Sequence, residues 1–339
     1  MREDVYARIL KVVENRAIIE SLSPLDRRLV ERIDRDYRRS GLRLDRAKRE
    51  ELRKIKQELA ELASQFSRHI SEEDAEVLYT RGELSGMPDS FFDGRETRVD
   101  DADGVEKFVV TTKYPDLYPV LMHAKRWQAR KALKLKEETR CPENIAIIEK
   151  AIKLRYQAAQ LMGYRTHADY QLEIMMAKKP DHVTKFESDL RARLNVLAEL
   201  ELKTMDELKA EELESFGEPV DTTLYSWDYL YYKNLIKERQ YNVSDEEVKQ
   251  YLSMENVTKG ILDTYQHTLG LRFVRSSEPG WHKDVFVYEV WDAKTGEFVG
   301  HFLMDLYPRE GKYNHAACFP IRSGFERPDG TREYPVAAI

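Results

Sequence analysis

Apolar residues recur at Leu52, Ile55, Leu59, Leu62 and Phe66, and again at Val183, Phe186, Leu190, Leu194 and Leu197. Steps of three and four draw one stripe along a helix, so each run predicts a long amphipathic helix that buries a single face. From Asp284 the step becomes two: Phe286, Tyr288 and Val290 share one side, which predicts a strand. A chain built this way is mainly α, with long helical hairpins and a bundle, and carries a small, mostly antiparallel sheet near its C-terminal end.

The remaining punctuation fits that frame. The helix from Asp45 to Ile70 is expected to pair with the run from Arg2 to Tyr37, which breaks near Ser23-Pro24. Short extended pieces are expected at Glu76 to Thr80 and Lys107 to Thr112, within a small insertion over about 74–112. Further helices run from Ala124 to Lys136, from near Pro142 to Met162, from Pro180 to Phe216, from Leu224 to Arg239 and from Val257 to Leu269. Proline opens two of them, and glycine follows the ends at Gly163, Gly217 and Gly270. Asp292 to Gly296 reads as a hairpin loop, Phe298 to Leu306 as its return strand, and Tyr313 to Phe319 and Arg332 to Ile339 as further strands. Lobes are expected at 1–162 and 163–339. The aromatic run Leu224 to Tyr232 reads as core, or as the edge of a peptide cleft.

Charge narrows the classes of partner. The net charge of -6 argues against wholesale nucleic-acid binding. The run from Arg27 to Lys56 holds thirteen Lys/Arg against six Asp/Glu, and reads as a solvated helix face with intrahelical ion pairs. No apolar run approaches the roughly 18 residues that span a bilayer. The two cysteines, Cys141 and Cys318, form no CxxC and suit a reducing compartment, with the cytoplasm expected.

Motifs for chemistry are sparse. None of the eight histidines is followed by Glu, so HExxH is absent, and GxSxG, Walker A and GxGxxG are absent too. The densest ligand-type set is His282, Asp284, His301, Asp305 and His315. His301 and Asp305 are four apart in a strand, about 13 Å, too far to share one ion without a bulge. Asp100 to Gly104 looks like a calcium loop. Placing Gly104 at position 6, however, leaves valines at positions 1 and 12. Cys318 near His315 suggests a thiol nucleophile, but the spacing of three would put them on opposite faces of a strand. No metal site is expected within the chain.

Several stretches, in order, resemble the zinc oligopeptidase family of thimet oligopeptidase, neurolysin and saccharolysin. They are Met1 to Tyr6, Leu161 to Tyr170, Met176 to Pro180, Trp227 to Tyr232, Trp281 to Val285, Asp305 to Tyr313 and His315 to Phe319. The sequence departs from the family at Asn314 and Pro320, where glycine is common. The resemblance implies a two-lobed channel fold and hydrolysis of short peptides at a zinc ion. That zinc is held by an HExxH helix and a downstream Glu, all C-terminal to the position matching Ile339. There the metal would polarise the scissile carbonyl and the HExxH glutamate would act as general base. On this reading the chain is an internal piece, inactive alone. Gly311, Tyr313, His315 and Ala316 form one wall of the substrate cleft, and no metal is held. The alternative is a non-catalytic peptide-binding or scaffold protein derived from that fold.

Overall fold

A computed structural model describes residues 3–241, 245–307, 309, 312 and 316–339. The fold is mainly α with small sheets, and it separates into two compact units, 1–240 and 241–339.

The first unit begins with α1 (Glu3–Val13), α2 (Arg16–Ser21), α3 (Pro24–Arg39) and α4 (Arg46–Glu72). Side chains cap three of these starts: Asn15, Ser23 and Asp45 accept from the backbone N–H groups of Ile18, Asp26 and Lys48. Next come β1 (Glu76–Tyr79), β2 (Thr97–Val99) and β3 (Glu106–Thr111), which form an antiparallel sheet ordered β1-β3-β2. They are followed by α5 (Tyr114–His123), α6 (Trp127–Glu138), α7 (Asn144–Leu161), α8 (His167–Leu172), α9 (Pro180–Ser215) and α10 (Tyr229–Tyr241).

The stripe on α4 is buried as expected, but its partner differs. Leu52, Ile55 and Leu62 pack with Leu154 and Ala158 of α7, while α1 packs on α3. The run 2–37 is cut at Asn15 and at Ser23-Pro24 and folds back on itself, whereas α7 offers an unbroken stripe through Ile147, Ala151, Leu154, Ala158 and Leu161. Each fully buried Leu contributes roughly 1.5–3 kcal/mol. A second core joins the small sheet to α5 and α6 through Tyr79, Leu84, Val110, Val120, Leu121 and Leu133. The carboxylates of Asp100 and Asp103 are both engaged by Lys107, at 2.7 and 2.6 Å. The turn that resembled a calcium loop is therefore a charge-pinned hairpin end.

The long helix α9 runs unbroken for 36 residues. Its apolar stripe is exposed in its first half, with Phe186, Leu190, Leu194 and Leu197 all accessible, and is buried only at Met205, Leu208 and Leu213. Around that buried end the last part of the aromatic run packs as core: Tyr231 and Tyr232 are buried, and both phenols donate to the Glu212 carboxylate, whereas Tyr225 and Tyr229 are exposed. Beneath them lies an ionic cluster. Arg130 and Asp228 are fully buried and pair at 2.9 Å, and Lys209 approaches the other carboxylate oxygen at 2.9 Å.

The second unit holds α11 (Asp245–Lys249), α12 (Met254–Leu269), and the strands β4 (Leu271–Arg275), β5 (Val285–Asp292), β6 (Phe298–Asp305), β7 (Phe319–Arg322), β8 (Phe325–Glu326), β9 (Arg332–Glu333) and β10 (Val336–Ala338). Gly270 ends α12 at φ 66°, a conformation that favours glycine. The five-stranded sheet is ordered β4-β5-β6-β10-β7, and β8 and β9 form a separate hairpin. All its pairings are antiparallel except β6 with β10. Of the strand expected over 313–319, residues 313–315 lie outside the described residues and 316–318 are not strand, while β7 starts at Phe319. Pro320 lies in β7 at the sheet edge, where its missing N–H costs least.

Candidate functional site

The segment after β6 carries the expected cleft residues. The hairpin that leads into it is well determined by its sequence. Asp292 accepts from the N–H groups of Lys294 and Thr295, and Gly296 closes the turn at φ 73°. β6 then runs against β5 from Phe298 to Asp305, with a bulge at Val290/Trp291. On its other side it receives β10 in parallel. A Cβ on Gly300 would sit 2.6 Å from the Pro335 carbonyl oxygen, so glycine is what allows the chain entering β10 to lie this close.

Alternation on β5 divides the sheet faces. Val285 and Val287 are buried with Leu303 and Ala338. Phe286 and Tyr288 point the other way and line a groove of about 530 Å³ with Phe273, Tyr307 and residues of α12. Tyr307 meets Phe286 edge-on at 6.3 Å, and the Arg275 guanidinium lies 4.0 Å from the Phe286 ring centroid.

Asp305, the last residue of β6, roots the following segment. Its N–H donates to the Ile339 carbonyl at 2.8 Å. Its carboxylate accepts a two-pronged guanidinium contact from Arg309 at 2.6 and 2.7 Å, and the Trp281 indole N–H at 2.9 Å. Lys312 Nζ lies 3.1 Å from the same carboxylate and donates to the carbonyls of Asp305 and Tyr307. Arg309 first, and then Trp281 and Lys312, hold the Asp305 carboxyl well below the usual carboxylate range. Such a planar fork fixes direction as well as distance. One carboxylate thus joins the stretch 281–285 to the stretch 305–312.

Among the expected cleft residues, Gly311, Tyr313 and His315 lie outside the described residues, and Ala316 is exposed. β7, just beyond, forms the sheet edge, with β10 as its strand neighbour in the sheet order. In the sequence Asp305 stands in the ligand-type set with His301 and His315 and opens the family-like stretch to Tyr313. Its spacing to Arg309 and Lys312, four and seven residues on, was the available sign of a clamp.

The described residues do not fit a zinc ion. Among them no three His, Cys, Asp or Glu side chains converge. Asp305 is filled by cations, His282 pairs only with Asp284 at 3.5 Å, and the His301 ring packs edge-on against Phe298 at 5.0 Å. Nor is any described helix long and apolar enough to cross a membrane.

Comparison with known proteins gives this geometry its context. The chain is 35% identical to saccharolysin of Saccharomyces cerevisiae, an alignment covering 100% of this chain and 49% of that protein. It is 34% identical to the thimet-like oligopeptidase of Dictyostelium discoideum, covering 100% of this chain and 51% of the other. Against oligopeptidase A of Escherichia coli the identity is 28%, with 94% and 48% covered. The chain therefore spans about half the length of the curated relatives it matches. The profile described as Peptidase family M3 matches residues 120–339, which take in the aromatic run, the Asp305 clamp and the five-stranded sheet, and the chain belongs to that family.

Proposed function

We propose that residues 1–339 supply the peptide-holding part of a zinc-dependent oligopeptidase that hydrolyses short peptides, and that by themselves they hold no zinc and cleave no peptide. Membership of a peptidase family supports the reaction class. The absence of HExxH from the sequence supports the inactivity. The observation that carries the reading is the clamp at Asp305. A short segment between two strands needs no fourfold anchor unless its position matters, and the anchored residues Asp305, Arg309 and Lys312 stand in sequence beside Gly311, Tyr313, His315 and Ala316.

An edge strand offers its backbone to an extended peptide, and side-chain pockets beside it supply selectivity. Residues 306–322 then form the wall along which a peptide lies. The lobes at 1–162 and 163–339, with the insertion at 74–112, belong to the same proposal, as does a cytoplasmic location without nucleic-acid partners. A photo-crosslinking nonapeptide incubated with the purified chain tests it. Crosslinks concentrated on 306–322, and competed by unlabelled peptide, are expected. Saturable crosslinking confined to other segments would refute the assignment of the wall.

A further inference from the structure

The first unit contains a cavity lined by its own residues alone. It measures about 340 Å³ and lies between the start of α6, the end of α9 and the loop 217–228. Its sides are aromatic. The rings of Tyr225 and Trp227 stack at 4.6 Å, and Trp127 also lines the cavity, its indole N–H bonded to a Glu218 carboxylate oxygen at 2.8 Å. Lys131, one turn along α6 from Trp127, holds its ammonium 5.2 Å from the Trp227 ring and 5.6 Å from the Trp127 ring. Indole faces attract a cation but accept none of its N–H groups in the way an oxygen does.

The polar lining divides by sign. Lys209 is spent on Asp228 and on the Thr223 carbonyl. Lys131, by contrast, has no ion pair or hydrogen bond among the described residues, so its three donors are open to a ligand. Glu218 uses one oxygen on Trp127. Asp221 accepts from the Thr223 N–H and the Tyr225 hydroxyl, contacts that hold its carboxyl below its ordinary value. The cavity thus presents one uncommitted cation, two carboxylates with acceptor capacity remaining, and flat apolar walls. A simple anion would meet the two carboxylates, and a simple cation would meet Lys131. A molecule carrying both signs satisfies both, and a volume of this order suits a small ligand buried on most sides.

We propose that this cavity binds a small aromatic zwitterion, a free amino acid or dipeptide. Its carboxylate lies on Lys131, its ammonium faces Glu218 and Asp221, and its ring slots between Trp127 and Trp227. The site is lined wholly by residues of the first unit.

Titration calorimetry and tryptophan emission on the full 339-residue chain test this, with L-phenylalanine and glycyl-phenylalanine as zwitterions. Phenylalaninamide lacks the carboxylate and N-acetyl-phenylalanine lacks the ammonium. The expected result is saturable binding of at least one zwitterion, with each blocked analogue weaker by about tenfold, the scale of a lost charge-assisted hydrogen bond. Which zwitterion binds more tightly decides between amino acid and dipeptide. Lys131→Met should erase the preference over the amide, and Glu218→Gln, which keeps an acceptor for Trp127, the preference over the acetylated analogue. The analogue comparison on the unaltered chain decides the matter even if a variant fails to fold. No saturable binding of either zwitterion by about 10 mM, or equal binding of the blocked analogues, would overturn the proposal.

Discussion

Replacing Asp228 with Asn should destabilise the first unit more than any surface change. Asp228 and Arg130 have no accessible surface, and Lys209 retains 5%. The carboxylate faces both cations at 2.9 Å and also accepts from the Tyr225 N–H at 3.3 Å. An amide keeps the shape and one acceptor oxygen but leaves two buried cations without a counter-charge. Removing one partner of a buried ion pair costs about 3–5 kcal/mol, because the remaining charge is uncompensated. With a urea m-value of about 3 kcal/mol/M, this moves the unfolding midpoint down by about 1 M or more. Circular dichroism during urea titration reads the shift. Lys209→Met made in the Asp228→Asn background should recover part of the loss, since it removes one of the stranded cations, and the two changes should couple by about 1 kcal/mol or more. A midpoint lowered by less than about 0.3 M, or strict additivity in the double variant, would show that the cluster does not work as one charge-balanced unit.

Three further outcomes follow from the second unit. Asp305→Asn removes the anchor of Arg309 and Lys312, so tryptic cleavage after those two residues should accelerate by about tenfold while cleavage elsewhere is unchanged; timed digestion followed by mass spectrometry measures it. The Asp305 carboxyl lies below its ordinary 3.8 in the fold, so the clamp contributes fully above that value and is lost as pH falls through the lower folded one. The same digestion, performed with an acid-active protease, should show protection of 306–312 at pH 6 that fades below about pH 4. Gly300→Ala would place a methyl 2.6 Å from the Pro335 carbonyl, and should destabilise the second unit by about 1–3 kcal/mol, read as a lowered thermal midpoint.

Period was the most readable property of the sequence, and partnership the least. The stripe at Leu52, Ile55 and Leu62 fixed which face of α4 would be covered, but either α1–α3 or α7 could have covered it; continuity of the opposing stripe decided for α7. On α9 the same kind of stripe ran the full helix, yet Phe186 to Leu197 stayed exposed, because a pattern marks what can be buried and not what is. Helix α5 went unread because Pro115 and Pro119 interrupt a short segment, and β2 because its three residues are all exposed and show no alternation. The ion cluster joins Arg130 to Asp228 across 98 positions and leaves no local trace. The clamp at Asp305 did leave one, in the Arg309 and Lys312 spacing, but the carboxylate was compared with nearby histidines and not with those two cations.

The proposed role, holding a peptide without the means to cut it, has a plain consequence. The direct measurement is cleavage of a short fluorogenic peptide by the purified 339-residue chain with zinc supplied, with and without a chelator. No turnover above the chelated control is expected; turnover that the chelator abolishes and added zinc restores would refute the proposed role.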